Sequence, residues 1–425
     1  MVSYCMLAVI LYVLIRGKCS LAPVFIVIPF AASILLGYSV HDICQFATDG
    51  INSVLNTALL FAFSILYFSI LEETGLFKIL VGWIMRFLKN SVYSILFITM
   101  LIAAVAQLDG SGAMTMLITL PAMLPIYDEM KIRRVVLVFT VAAASGMMNM
   151  MPWCSSVLRL SAATNLNARE IWLTAFPLQI IGLIASAILL LWIARIEKKN
   201  GAELSNEEFA KIKVLYLSNK SELGWRFWFN LIFTVILIGC LLLGIFNTTL
   251  GFMIGFSIIL VINYPKMKMQ NEQIKKHGAT AYPLVVVIFA LGVMIGIMRG
   301  TGMVNSIAES MIVCIPASMR QYIPVIFSFV GVPVSTILGS DCAYGILAPI
   351  LGTICEQYGA SGMQATIAVL IGACMAANIT VIGPVPYLSL GLAKIEMKEN
   401  LSFSFKYMWL LGVILTFAAI VLNIF

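Results

Sequence analysis

The sequence predicts an all-α polytopic membrane protein built from two inverted-topology repeats, with re-entrant hairpins and discontinuous helices. Three observations predict it. Of the 425 residues, 61% are hydrophobic and only 11% charged, a balance that soluble domains of this length do not sustain. Lys and Arg gather in short loops between apolar runs, which sets an orientation in the membrane. Two short apolar hairpins with acidic, glycine-containing tips recur at matching places in the two halves of the chain.

The first repeat is read over residues 1–195. Apolar runs at 3–15, 21–38 and 51–71 open it. No basic residue precedes the first run and no small-residue cleavage site follows it, so a first membrane helix is expected and not a cleaved leader. Phe77–Leu88 reads as an interfacial helix. The runs 91–107 and 113–127 are each about fifteen residues long, short of the roughly 20 that a spanning helix needs. Between them lies Leu108-Asp109-Gly110-Ser111-Gly112. Two short arms with a polar tip read as a re-entrant hairpin, 91–127, whose tip is tolerated at membrane depth only when buried in protein or lining a wet cavity. A helix over 134–166, broken near Pro152, and a span over 171–194 complete the repeat.

Residues 196–226 carry charges of both signs and read as a cytoplasmic linker. The second repeat, 227–425, runs through the same order. Spans are expected at 227–246, 248–264 and 281–298, then a segment 302–316, a hairpin 322–355 with its tip at Gly339-Ser340-Asp341, a broken helix 364–393, and a span 407–424. One threading puts every basic cluster in the cytoplasm, from Arg16 and Lys18 to Lys394, Lys398 and Lys406. It starts outside, and its two hairpins enter from opposite sides. Asp109 lies 43 residues before Pro152, and Asp341 the same 43 before Pro384. Glu73-Thr74-Gly75-Leu76 is answered by Gly300-Thr301-Gly302-Met303. Matches in the same order with opposite orientation mark a secondary transporter whose site lies near the midplane between the halves.

Pro152 and Pro384 remove an N–H and clash with the preceding turn, so each helix should break there. A break makes a half-helix N-terminus with about half a positive charge, which favours carboxylates. Freed carbonyls and Asn, Ser or Thr oxygens suit a cation. The candidate substrate-binding residues are therefore Gly110, Ser111, Gly112, Asn149, Pro152, Ser155, Ser340, Asn378, Thr380 and Pro384. Asp109 and Asp341 are the candidate coupling or metal-holding residues, since an acid deep in a membrane is costly and is retained for function. The competing reading of a tip aspartate is an N-cap of the following helix. A polycarboxylate about 4 Å from an ionised aspartate is repelled by about 4 kcal/mol at an effective dielectric of 20. An anion travelling with a metal ion or a proton fits better than a bare one.

Other features are weaker. Glu72, Glu73 and Arg299 end spans, and Arg159 either snorkels or holds an anion. His41 and His277 fall in expected loops and read as solvated. Nine cysteines without a CxxC read as small core hydrophobes, with neither a disulfide framework nor a zinc site. There is no HExxH, GxSxG or P-loop, so an enzyme is not expected and an ion gradient is the remaining energy source. The net charge of +7 resides in loops, and no nucleic-acid partner is expected.

Residues 108–127 (LDGSGAMTMLITLPAMLPIY), 145–153 (SGMMNMMPW), Asp341–Pro349 and 386–409 (PYLSLGLAKIEMKENLSFSFKYMW) resemble the citrate–Mg2+/Ca2+:H+ symporter (CitMHS) family of the ion-transporter superfamily. The resemblance covers most of the chain. It implies a secondary active transporter moving citrate, as a complex with Mg2+ or Ca2+, with protons across the bacterial inner membrane. No cofactor is implied to be permanently bound. Membrane lipids and a second copy in a homodimer are the implied macroscopic partners. A Na+-coupled di- or tricarboxylate carrier and an H+-coupled sugar-acid carrier are the alternatives. Family members tend to read DGDG at the first tip and PWGGP at the first break. This chain has Asp109-Gly110-Ser111-Gly112 and Pro152-Trp153-Cys154-Ser155-Ser156, so one acid and two glycines are replaced.

Overall fold

Charge-poor runs become helices because a helix satisfies its backbone polar groups within the segment, as a bilayer requires. In the computed structural model, which describes residues 2–16, 19–202, 209, 224–307, 317–381 and 383–425, every described element is helical. The first half contains α1 (Val2–Arg16), α2 (Leu21–Leu35), α3 (Val40–Glu73), a short α4 (Leu76–Met85), the hairpin α5 (Val92–Ala106) and α6 (Gly112–Glu129), the broken pair α7 (Arg134–Met148) and α8 (Ser155–Thr164), and α9 (Ala168–Lys199). The second half contains α10 (Trp225–Leu243), α11 (Thr248–Asn263) and α12 (Met267–Gly300). The hairpin α13 (Ile323–Leu338) and α14 (Ala348–Gln357), the broken pair α15 (Gly362–Ala376) and α16 (Pro384–Ala393), and α17 (Met397–Val421) follow. Among the described residues each half thus runs through three helices, with the short α4 added in the first half, then a hairpin, a broken helix and a closing helix. Seven described helical stretches are long and apolar enough to cross a membrane. They include the first arm of each hairpin taken with its adjoining 3-10 turn, Val92–Asp109 and Met319–Leu338. The 91–107 arm, expected to fall short, gains its length from the turn Gln107–Asp109.

The third helices of the two halves, α3 and α12, are both 34 residues long. They run antiparallel: Gly50 packs on Gly292 and Gly296 near one end, and Glu73 pairs with Lys276 at the other, 2.8 Å apart. A β-carbon on Gly50 would lie 2.8 Å from the Gly296 Cα. The absence of side chains on both partners is what lets the backbones approach.

Both helices outrun the expected spans. At 1.5 Å per residue, 34 residues make about 51 Å of helix, against a hydrocarbon core of about 30 Å. Hydropathy marks where a helix enters lipid, whereas caps and breakers mark where it ends. Ser39 caps α3 by accepting the Asp42 N–H at 3.2 Å, so α3 starts at Val40 and not at 51. The basic stretch before 281, expected as a loop, is the first part of α12. His41 and His277 accordingly lie on helices, and His277 is not simply solvated: its Nε2 is 2.6 Å from the Glu73 carboxylate.

Helix α9 likewise runs past 195 to Lys199. This carries Glu197, 1% exposed, onto the backbone N–H of Arg133 at 3.2 Å and its Nε at 2.9 Å. Of the linker 196–226, residues 203–208 and 210–223 lie outside the described residues, as do Lys18 and most of the 302–316 segment.

Candidate functional site

At the first tip α5 ends, Gln107–Asp109 makes a 3-10 turn, and Gly110 takes φ +77°. That left-handed conformation suits glycine. A β-carbon there would also come within 3.3 Å of the Trp153 carbonyl. Ser111 then caps α6, its side chain accepting the Met114 N–H at 3.4 Å. The Asp109 carboxylate accepts the Ser111 N–H at 2.7 Å, so it serves the helix start while lining the site. Thr115 donates to Gln107 Oε1 at 2.6 Å. Trp153 Nε1 donates to the Leu108 carbonyl at 2.9 Å, which ties this tip to the first helix break.

At the first break α7 stops at Met148 and α8 begins at Ser155. The helix ends ahead of Pro152, because proline disfavours helical geometry in the residue before it. Pro152 is buried within the turn. At the second tip Gly339 takes φ +84° and a helical turn, Ser340–Cys342, leads into a π-helical segment, Ala343–Leu347. Such segments recur at functional sites because they re-aim side chains. Ser340 donates to the Ala373 carbonyl at 2.9 Å. The Asp341 carboxylate forms an ion pair with Arg159 of α8, and Tyr344 donates to Ser156 Oγ at 2.8 Å. At the second break α15 stops at Ala376 and Pro384 opens α16. The unwound stretch is held to α13: the Thr380 hydroxyl and the Val381 N–H donate to the Thr336 carbonyl at 3.1 and 3.2 Å.

Both tips and both breaks surround one cavity of about 440 Å³, within the usual range for small-molecule sites. Asp109, Gly110, Ser111, Gly112, Asn149, Ser155, Ser340, Asp341, Asn378 and Thr380 all line it; Pro152 does not, and the Pro384 side chain lies outside what the structure describes. The N-terminal ends of α6, α8 and α16 contribute Gly112, Ser155 and Val385, and their partial positive charges favour an anion. Gln107 and Asn149, at the carbonyl ends of α5 and α7, line it too, and carbonyl ends suit a cation. Among the described lining residues the formal charges are Asp109, Asp341 and Arg159, a net charge of −1. Among the described residues no group of three or more His, Cys, Asp or Glu is placed to hold a metal ion.

The profile of the citrate transporter family matches residues 6–319, most of the chain. The chain belongs to the citrate transporter family. It is 28% identical to a citrate transporter of Bacillus subtilis (strain 168) over 99% of this chain and 98% of that one. It is also 28% identical, over the same shares, to a Mg(2+)/citrate complex secondary transporter of that organism. The crystal structure of the Alcanivorax borkumensis YdaH transporter superposes with a TM-score of 0.60 at 13% identity, covering 90% of this chain and 88% of that one. That likeness shows the shared fold of a multi-pass membrane protein.

The candidate residues omit several of the cavity's polar groups, Gln107, Ser145, Ser156 and Tyr344, and hold Arg159 only as a weaker alternative between snorkelling and holding an anion. Their signals were faint. Gln107 is a single polar residue in an apolar run. Arg159 sits one helical turn after Ser155 and Ser156, a spacing that places all three on one face.

Proposed function

We propose that the protein is a secondary active transporter that carries citrate as its complex with a divalent metal ion, together with protons, across the bacterial inner membrane. It is a carrier and not an enzyme. The observation that carries this reading is the charge of the cavity. Helix N-termini and Arg159 favour carboxylates, yet Asp109 leaves the lining net negative. A citrate trianion would meet Asp109 uncompensated, at a cost of several kcal/mol for close approach. A chelated Mg2+ or Ca2+ brings the missing positive charge as part of the cargo, and a proton on the site is the second way to remove the conflict.

The name of one relative, a Mg(2+)/citrate complex secondary transporter, supports the metal complex as cargo. The repeated order of elements and the antiparallel α3 and α12 support inverted repeats, with the hairpins re-entering the membrane and the halves alternating access around a midplane site. The test is uptake of labelled citrate by proteoliposomes, with and without Mg2+, Ca2+ and an inward proton gradient. Uptake that needs both metal and gradient is expected. Absence of citrate uptake under every condition refutes the substrate, and uptake driven by Na+ without metal favours a sodium-coupled carboxylate carrier.

A further inference from the structure

Arg159 is the only basic side chain among the described residues that line the cavity. Its side chain is 14% exposed. It projects from α8 one turn after Ser155 and Ser156, which line the same cavity at the α8 N-terminus. One guanidinium nitrogen meets Asp341 of the other half. The guanidinium makes no hydrogen bond to any other described residue, and its buried Nε has no partner. A guanidinium has five N–H donors in a fixed planar fork, and one ion pair leaves most of them unused at the cavity wall. The group is therefore held in place by Asp341 but left undersatisfied, which is the state of a binding group awaiting an acceptor.

We propose that Arg159 is a specificity-determining residue that binds the one substrate carboxylate that the divalent metal leaves free. The inference rests on the metal–citrate reading above. Citrate chelates a metal ion through its hydroxyl, its central carboxylate and one terminal carboxylate, and the second terminal carboxylate keeps its charge. Planar, bidentate recognition of a carboxylate is what arginine does better than lysine. The helix N-terminus beside Arg159 adds backbone N–H groups to the same pocket. A hydroxy-dicarboxylate such as malate presents the chelating groups and lacks the extra carboxylate. Arg159 thus makes the site selective for a tricarboxylate, while the part of the cavity around Asp109 receives the metal.

The experiment measures binding of Mg2+–citrate and Mg2+–malate to purified full-length protein by calorimetry, in wild type, Arg159→Gln and Arg159→Lys. Loss of a charge-assisted hydrogen bond corresponds to a weakening of about 10- to 100-fold. Arg159→Gln should weaken citrate by that factor, down to the level that wild type shows for malate, and leave malate unchanged. Arg159→Lys should recover part of the citrate affinity. If Arg159→Gln does not fold, the lysine variant decides: unchanged citrate affinity in it, or equal loss for both ligands, overturns the proposal. Equal loss for both ligands in Arg159→Gln also overturns it, as does no loss for either. Wild type that binds neither ligand overturns the transport reading and this assignment together, whereas wild-type binding with a variant indifferent to the third carboxylate overturns the assignment alone.

Discussion

Asn378 reaches from the second helix break to the first broken helix: its side-chain amide donates to Ser145 Oγ at 2.8 Å and to the Ala142 carbonyl at 3.4 Å. Ser145 passes the contact on, donating to Ala142 at 3.3 Å. Both partners lie on α7, so this side chain joins the two halves at the cavity wall. Asn378→Ala removes the donor and leaves buried acceptors short of a partner, a loss of about 1–3 kcal/mol. Citrate uptake in proteoliposomes is expected to fall at least tenfold with the protein still monodisperse in detergent. Unchanged uptake would show that this bridge is dispensable.

Asp109 has two separable jobs. Its carboxylate accepts the Ser111 N–H, and its charge faces the cavity. Asp109→Asn keeps an oxygen for the first job and removes the second. Thermal stability should stay within about 1 kcal/mol of wild type, while stimulation of citrate uptake by Mg2+ or Ca2+ disappears. Full metal-dependent uptake by this variant would refute a role for Asp109 in receiving metal or proton.

Ser111 stands where the family resemblance implies a second acid. Ser111→Asp keeps an N-cap acceptor for α6 and adds a second carboxylate beside Asp109. The metal concentration giving half-maximal citrate uptake is expected to fall about tenfold, the equivalent of one additional charge-assisted contact. A metal titration of uptake that superimposes on wild type would contradict this.

The α3–α12 seam tolerates no side chain at Gly50. In Gly50→Val the added atoms run into the backbone at Gly292 and Gly296, which cannot yield as a flexible side chain can. Overpacking of this kind costs about 1–3 kcal/mol or more. Thermal unfolding in detergent should show a marked drop or no folded fraction. Gly82→Ala, inside α4 with nothing within 4 Å of its added carbon, is the control and should not lower the melting temperature, since alanine is the better helix former.

Much of the fold is legible in one dimension. Apolar runs, polar tips and prolines are local properties, and the tips and breaks fall within a few residues of where these place them. Helix ends were harder. Lipid exposure and helical hydrogen bonding are different forces, so α3, α9 and α12 extend beyond their apolar runs into charged sequence. The cavity residues on the tips and breaks were readable for the same reason as the tips themselves: acids, amides and glycines stand out against apolar neighbours. Both prolines mark the breaks, and Pro152 stands behind the lining, since its role is to stop a helix and not to present a polar group.

The sequence by itself determined an all-α membrane protein with two acidic tips and two helix breaks, because hydrophobicity, chain stiffness and breaker residues act through immediate neighbours. Only the tertiary structure decided how the charges are paired. It set Asp341 against Arg159, Glu73 against Lys276 and His277, and left Asp109 with a backbone N–H alone among the described residues. Two aspartates that look equivalent along the chain are therefore different groups in the folded protein. One already has its counter-charge, and the other has none among the described residues, because electrostatic pairing depends on distances between elements far apart in the chain.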